Sequence, residues 1–406
     1  MCPPRPLVFA LLLALGASAP AGAAAPVSRP NVLLVCVDDL KPLLGCYGEK
    51  SVRTPALDRL AARGMVYERA YCNQAVCSPS RNALLTGLRS TTLGIYDLPT
   101  NFRVAAPHAV TVAQHFRAHG YRTEALGKIF HTGHGNHEDA ASWTVPHWRP
   151  RASNYAHAAN DNAPVENADV PDSTYADGQI ADEAIRRLEQ ARPRPDEPFF
   201  LAVGFLKPHL PFNAPKKYWD LYRRDTLPLA TVTSPPAGAP DYAPTNWGEL
   251  RKYRGMPTQG PLNEAQQREL VHGYHAATSF MDAQLGRVTE ALDRLGLSSR
   301  TIVVVWGDHG WHLGDHGQWC KHSNYEEAAR IPLLLAGPGV GRPGSRTTAL
   351  VESVDLYPTL AELAGLPAPD LDGRSFAANL RDPAQPTKEA VFHCFPRPRP
   401  DRKSVV

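Results

Sequence analysis

Three segments of this chain are apolar at almost every position: Asn31–Val37, Thr301–Trp306 and Ile331–Leu335. A strand wetted on one face alternates apolar and polar residues, whereas one covered on both faces does not, so these runs predict buried strands of a layered sheet. Between them the period lengthens to that of helices. Thr54–Arg63 reads as a helix with Pro55 at its start and Gly64 after its end, and Thr111–His119 as another closed by Gly120. The latter leads into a strand at Tyr121–Leu126. Helical patterns over Tyr175–Gln190, Glu264–Leu295 and Asp355–Leu363, with a further strand at Pro198–Phe205, complete the alternation. Strands alternating with helices predict an α/β fold with a large, mainly parallel sheet flanked by helices. Residues 134–174 and 225–262 have no period and are rich in Pro, Asn, Ala and Gly. Loops of that length usually carry function, and these two are expected to wall a substrate cleft.

Composition narrows the class. The 406 residues carry a net charge of only +3, with basic residues scattered rather than striped, which argues against a nucleic-acid partner. The first residues place Arg5 before an apolar run, Leu7 to Leu15, and then small residues to Ala25. That is the layout of a secretory signal peptide, expected at residues 1–25 with cleavage near Ala23 or Ala25. The run is shorter than the roughly 20 residues a membrane span needs, so an exported protein, periplasmic or secreted, without stable membrane association is expected. Of the seven cysteines, Cys2 falls in that leader, and the others have no regular spacing that would suggest a disulfide framework.

The candidate chemistry lies where strands end. Asp38-Asp39 follows the first buried strand and Asp308-His309 the second. In a parallel sheet the carboxyl ends of strands share one edge, and ligands bind there. Three carboxylates and an imidazole gathered at one edge repel one another unless a cation joins them, and such donors favour hard ions such as Ca²⁺ or Mg²⁺. The bland reading of Asp-Asp after a strand is a solvated turn or cap, and the second strand end argues against it. Cys77-Ser-Pro-Ser-Arg81 puts a thiol immediately before a predicted helix start, beside unpaired N–H groups, with an arginine one turn later on the same face. Lys128 and His131 follow the strand at 121–126, and Lys207-Pro-His209-Leu-Pro follows the strand at 198–205; each reads equally well as a plain strand exit. His131, His134 and His137 recur every third residue, a spacing that suggests zinc but lacks its usual cysteine or carboxylate partners.

Cys77-Ser-Pro-Ser-Arg81 with the following Leu84-Leu-Thr-Gly87 resembles the C-x-P-S-R…L-L-T-G signature of the type I sulfatases. Gly307–Lys321, continuing to Leu333, resembles their second signature and is most similar to the iduronate-2-sulfatase branch, where His also follows this Asp. Leu126–His131, Lys207–Phe212 and Val354–Gly365 resemble further stretches of the family, so the likeness spans nearly the whole mature chain. The resemblance implies an alkaline-phosphatase-like sulfatase fold, with a catalytic domain at 27–370 and a short, incomplete C-terminal subdomain at 371–406 whose strand at Glu389–Phe395 has an exposed edge. It implies that Cys77 is oxidised to formylglycine by the formylglycine-generating enzyme, and that its hydrated aldehyde is the nucleophile. Asp38, Asp39, Asp308, His309 and the oxygen at position 77 are then the metal ligands. The histidine departs from an all-oxygen shell and leaves Ca²⁺, Mg²⁺ and Mn²⁺ open. Arg81, Lys128 and Lys321 neutralise the sulfate, His209 is the general acid and His131 the base. The implied substrate is a sulfated saccharide. Two other readings stay open: a phosphonate or phosphodiester hydrolase of the same superfamily, and a non-catalytic protein that binds sulfated glycans with Cys77 unmodified.

Overall fold

The structure is a computed structural model that describes residues 1–3, 29–194, 196–367 and 369–397. The expected signal peptide and the final Arg/Pro-rich residues from 398 onward therefore lie outside the described residues. Among the described residues no helix is long and apolar enough to cross a membrane.

The sheet strands are β1 (Asn31–Val37), β2 (Gly64–Tyr71), β3 (Arg122–Gly127), β4 (Phe199–Phe205), β5 (Thr301–Gly307), β6 (Arg330–Ala336), β7 (Ser345–Thr347) and β8 (Val351–Glu352). They form one eight-stranded sheet in the order β7-β2-β6-β5-β1-β4-β3, with β8 also on β2. The continuous apolar runs take the central places: β1 lies between β4 and β5, parallel to both. Its residues divide strictly by parity. Val32, Leu34 and Cys36 join one core with residues of α2 (Cys77–Thr86), α3 (Val112–Ala118) and α6 (Leu356–Leu363). Leu33, Val35 and Val37 join the other core, under α1 (Pro55–Ala62), α4 (Ala176–Ala191) and α5 (Glu264–Arg294). With both faces covered, β1 is apolar from Val32 to Val37, and its one polar residue, Asn31, stands at the entry with hydrogen-bond partners.

The sheet is mixed, and the exception is instructive. β6 runs antiparallel to both β5 and β2, because the chain leaves β5 at the carboxyl edge, folds there as residues 308–329, and re-enters from the same edge. A parallel partner would need a crossover to the far edge, and there is none between them. β2, which the sequence pattern did not single out, is antiparallel to β6 and so runs with β1. Its end, Tyr71, therefore delivers the chain to the active edge six residues before Cys77.

The expected strand at Glu389–Phe395 does not form. This segment instead docks by single contacts: the Cys394 N–H donates to Asn73 O at 3.0 Å, Asn73 Nδ2 to Phe392 O at 3.0 Å, and Asn324 Nδ2 to Phe395 O at 3.1 Å. Two of these partners are side chains and one is a backbone carbonyl, so no ladder with a neighbouring strand is built. The two aperiodic stretches are irregular as expected, but Val165–Glu166 of the first pairs with Phe212–Asn213. The buried Glu166 carboxylate gathers the Ala156 and His157 N–H groups, Asn160 and the Tyr175 hydroxyl.

Candidate active site

Extended pairing carries the acidic residues one step past the strands. The Asp38 N–H still bonds Phe205 O and the Asp308 N–H still bonds Val37 O, so both carboxylates emerge side by side at the sheet edge. Asp39 then turns into the left-handed region at φ 59°. That conformation is held from two sides: its N–H donates to Asp308 Oδ1 at 3.0 Å, and the Tyr274 hydroxyl of α5 donates to its carbonyl at 2.7 Å.

Cys77 lies within the first turn of α2 rather than before it, with Val76 as the cap, so Pro79 stands at the third helical position instead of the first. The correction changes nothing chemically, since the third N–H of a helix is also without an intrahelical partner. The Cys77 sulfur is 3.5 Å from Asp38 Oδ1 and 3.4 Å from His309 Nε2. His309 faces its Nδ1 to the Gly310 carbonyl at 3.1 Å, which leaves Nε2 turned toward Asp39 (3.4 Å) and Asp308 (3.6 Å). Donor atoms of Asp38, Cys77, Asp308 and His309 all lie within 4.8 Å of one another, and all four residues are buried. A histidine tied through one nitrogen to a carbonyl, with the other aimed at carboxylates, is the usual outer support of a metal ligand. Burial, with the charge of Asp38, pushes the Asp308 carboxyl up to about 8 against His309 and Arg81, a crowding that a divalent ion would relieve. The donor set fits a hard or borderline cation. His131, His134 and His137 do not form such a group: among the described residues, neither set of atoms close enough to share an ion includes them.

Cations surround this acidic centre. Arg81, fully buried, donates through Nε to Asp308 at 3.0 Å and through Nη2 to Asp38 at 3.2 Å, while Nη1 reaches the carbonyls of Lys128 and Ile129. It thus ties α2 to the exit of β3. The Lys128 ammonium contacts Asp38, and Lys321 Nζ lies 3.0 Å from Asp39 Oδ1. Burial alone would raise the carboxyl of Asp38, but Lys128, His209 and Arg81 hold it well below the usual carboxylate range. Cys77 shows the same balance: Lys128, Lys321 and His309 outweigh burial and Asp38, and the thiol sits well below its ordinary value. The other buried cysteines near the sheet lack that field; burial pushes Cys36 up to about 12.

His209 enters on the loop after β4, in which the Lys207–Pro208 and Leu210–Pro211 peptides are cis. Its Nδ1 lies 2.6 Å from Leu210 O, and its Nε2 3.1 Å from Glu249, 3.8 Å from Asp39 and 4.0 Å from Asp38. Burial would lower this imidazole, but Asp39, Asp38 and Glu249 outweigh burial and Lys321 and raise it well above its ordinary value, which favours the imidazolium. His131 is not brought into this network: its Nε2 faces His134 Nδ1 at 3.2 Å, and its buried Nδ1 has no partner.

Two further groups of the site, the buried Lys207 and the half-buried Glu249, have no role assigned from the sequence. Lys207 donates to His209 O at 3.0 Å and to Pro211 O at 2.6 Å. Glu249, from the second aperiodic stretch, pairs with His209 and, at 2.8 Å, with Lys321. The first could have been suspected from its place two residues before a candidate acid, but nothing in the local pattern marks the second.

The Sulfatase family profile matches residues 30–366. The mouse (Mus musculus) iduronate 2-sulfatase is 39% identical over 424 residues, covering 91% of this chain and 76% of its own, and the human (Homo sapiens) enzyme is 38% identical over 84% and 70%. Among solved structures, the phosphonate monoester hydrolase of Silicibacter pomeroyi superposes with a TM-score of 0.71 at 23% identity, covering 87% of this chain and 77% of that one. The last likeness concerns the fold alone, which hosts more than one chemistry. The chain belongs to the sulfatase family and is a sulfuric ester hydrolase.

Proposed function

We propose that this protein removes sulfate from a sulfated uronic acid, or a related sugar, of a saccharide, after export and after formylglycine-generating enzyme has acted on Cys77. The observation that carries the reading is the ring of cations, Arg81, Lys128, Lys321 and His209, closed around a buried thiol and three carboxylates. The relatives named for iduronate supply the sugar half of the proposal.

The Cys77 sulfur stands where the oxygens of the hydrated aldehyde would be, and that group would supply the nucleophile and a route for sulfate release by C–O cleavage. Asp38, Asp39, Asp308, His309 and the oxygen at position 77 would hold a divalent cation, Ca²⁺ in the first instance, which supplies Lewis-acid polarisation of the ester. The chain's own residues do the rest. Lys128 and Lys321 neutralise the sulfate oxygens, and Arg81, locked by its carboxylate and carbonyl partners, keeps α2 and the Lys128 loop in register. His209 passes its Nε2 proton to the departing sugar oxygen as the S–O bond breaks. His131, the base that the resemblance implies, pairs with His134 at 3.2 Å and stands outside this network, so no proton step is assigned to it.

Mass spectrometry of the Cys77 peptide from protein made with the modifying enzyme should show the aldehyde. The same preparation should release sulfate from a 2-sulfated uronate disaccharide and from 4-nitrophenyl sulfate, with Cys77→Ala inactive on both. Chelation should abolish turnover, and refilling with Ca²⁺, Mg²⁺ or Mn²⁺ in turn identifies the ion by the activity regained. Hydrolysis of phosphonate esters in preference to every sulfate ester would overturn the substrate class. An unmodified Cys77 with retained glycan binding would leave the non-catalytic reading.

A further inference from the structure

Glu249 belongs to the aperiodic stretch 225–262, on which the family motifs place no function. Its carboxylate nevertheless joins two of the cations of the site, with Oε1 at 3.1 Å from His209 Nε2 and Oε2 at 2.8 Å from Lys321 Nζ. It also lines a cleft of about 350 Å³ with Thr245, Asn246, His322 and Arg397, a space of the size small ligands fill. Glu249 thus stands at the junction of the acidic centre and the cleft.

We propose that Glu249, anchored by Lys321, is a positioning residue that holds His209 Nε2 toward the leaving oxygen, an inference that rests on His209 being the general acid. The competing partners make the case. Each of the two cations has an alternative anion deeper in the site: Asp39 lies 3.8 Å from His209 and 3.0 Å from Lys321, and Asp38 lies 4.0 Å from His209. On the inner side the carboxylates pull both cations toward the sheet edge, away from the sugar. Glu249 pulls from the cleft side, and at 3.1 Å it is the nearest anion to Nε2. The Leu210 carbonyl fixes the opposite ring nitrogen at 2.6 Å, so the imidazole is held at both ends only while Glu249 is present. Glu249 keeps the Nε2 hydrogen on the cleft side, where an entering leaving oxygen takes its place; a ring free to tilt toward Asp39 would carry that hydrogen to the inner carboxylates, and misplacement on that scale is costly in rate. Glu249 touches no reacting atom in this role; it acts through His209, with Lys321 as its anchor.

The test compares wild type, Glu249→Gln and Glu249→Asp, all with verified formylglycine, on two substrates. A 2-sulfated uronate disaccharide has a basic leaving oxygen that needs the acid, and 4-nitrophenyl sulfate does not. For Glu249→Gln, kcat on the disaccharide should fall about 10- to 100-fold while kcat on the aryl ester stays within about threefold. Glu249→Asp should recover part of the loss on the disaccharide. Equal losses on the two substrates would mean a merely structural role and would overturn the proposal. So would unchanged or increased disaccharide turnover, which would make the carboxylate an occupant that substrate displaces. If wild type itself releases sulfate from the aryl ester but from no saccharide, the substrate reading beneath the proposal fails instead.

Discussion

At the scale of single residues, the site shows how much a buried charge depends on its partners, and Glu138 shows the contrary case. Its carboxyl lies 3.3 Å from His147 Nδ1 and 3.7 Å from Arg149, with neither oxygen hydrogen-bonded. Burial pushes it up to about 8 against the pull of Arg149 and Arg81, and burial drives His147 down to about 4. Between the unfolded value of about 4.3 and the folded value of about 8, the native state keeps a proton that the unfolded chain has lost. Stability must therefore fall as pH rises through that window. Glu138→Gln removes the ionisation and keeps a similar shape. It should be more stable than wild type by on the order of 1 kcal/mol at pH 8, and the difference should shrink toward zero by pH 4. Paired thermal melts across that range check this; a constant difference would mean that the carboxyl is not the cause. The sequence disclosed Asp38, Asp39, Asp308 and His309 because each abuts an unmistakable buried strand. It could not disclose Glu138 or Glu249, whose neighbours have no period, so that only the folded path decides what they face.

At the scale of elements, the fold positions the general acid by stapling a loop rather than by placing it on a helix or strand. Asp177 of α4 accepts the N–H groups of Leu206 at 2.8 Å and Lys207 at 2.9 Å, and the Lys207 ammonium then closes on the carbonyls of His209 and Pro211. Burial lowers Lys207 to about 8, with Asp177, Asp38 and Asp39 opposing. Lys207→Met keeps the stem but frees the two carbonyls. Disaccharide kcat should fall about tenfold, roughly 1.4 kcal/mol, with a smaller loss on 4-nitrophenyl sulfate. The melting temperature should fall by only a few degrees, since the loss of bonds to two carbonyls is partly offset by no longer desolvating an ammonium. Equal losses on both esters would place Lys207 in folding alone. Near the end of β4, a Cβ on Gly204 would meet the Lys128 carbonyl at 2.0 Å, so Gly204→Ala must move Lys128 or the strand. Greatly reduced soluble yield or a collapse of kcat/KM on every substrate is the expected result. The positions of β1, β3, β4, β5 and β6 were legible in the sequence, but those of β2, β7 and β8 were not, and neither was strand direction. The reversal of β6 follows from the 308–329 loop staying at one edge, which hydrophobic patterning does not encode.

At the scale of the whole molecule, the segment 389–397 matters as a clasp, since it forms no strand with an exposed edge. His393 Nδ1 lies 2.8 Å from the Cys72 carbonyl and its Nε2 3.2 Å from Ser323 O. Arg397 donates to Ala243 O at 3.0 Å and to His322 O at 2.7 Å, and its guanidinium lies 4.7 Å from the centre of the Phe395 ring. These contacts join three loops that lie roughly 80 to 250 residues apart in sequence: the approach to Cys77, the loop after Lys321, and the stretch that carries Glu249. Of the residues that the segment contacts, only Cys72 belongs to the two cores that flank the sheet, and there the contact is to the backbone carbonyl. The sheet and its helices should therefore survive without the clasp, while the relative placement of the three loops should not. A chain ending at Lys388 is expected to fold, with far-ultraviolet circular dichroism near that of the full chain and a melting temperature lowered by only a few degrees. Its KM for the disaccharide should rise, and kcat should fall about tenfold or more, because loosening the loops costs orientation rather than core packing. If the shortened chain instead aggregates on expression, or keeps full kcat/KM, then the segment is respectively part of the folding core or a passive tail, and the clasp does not exist.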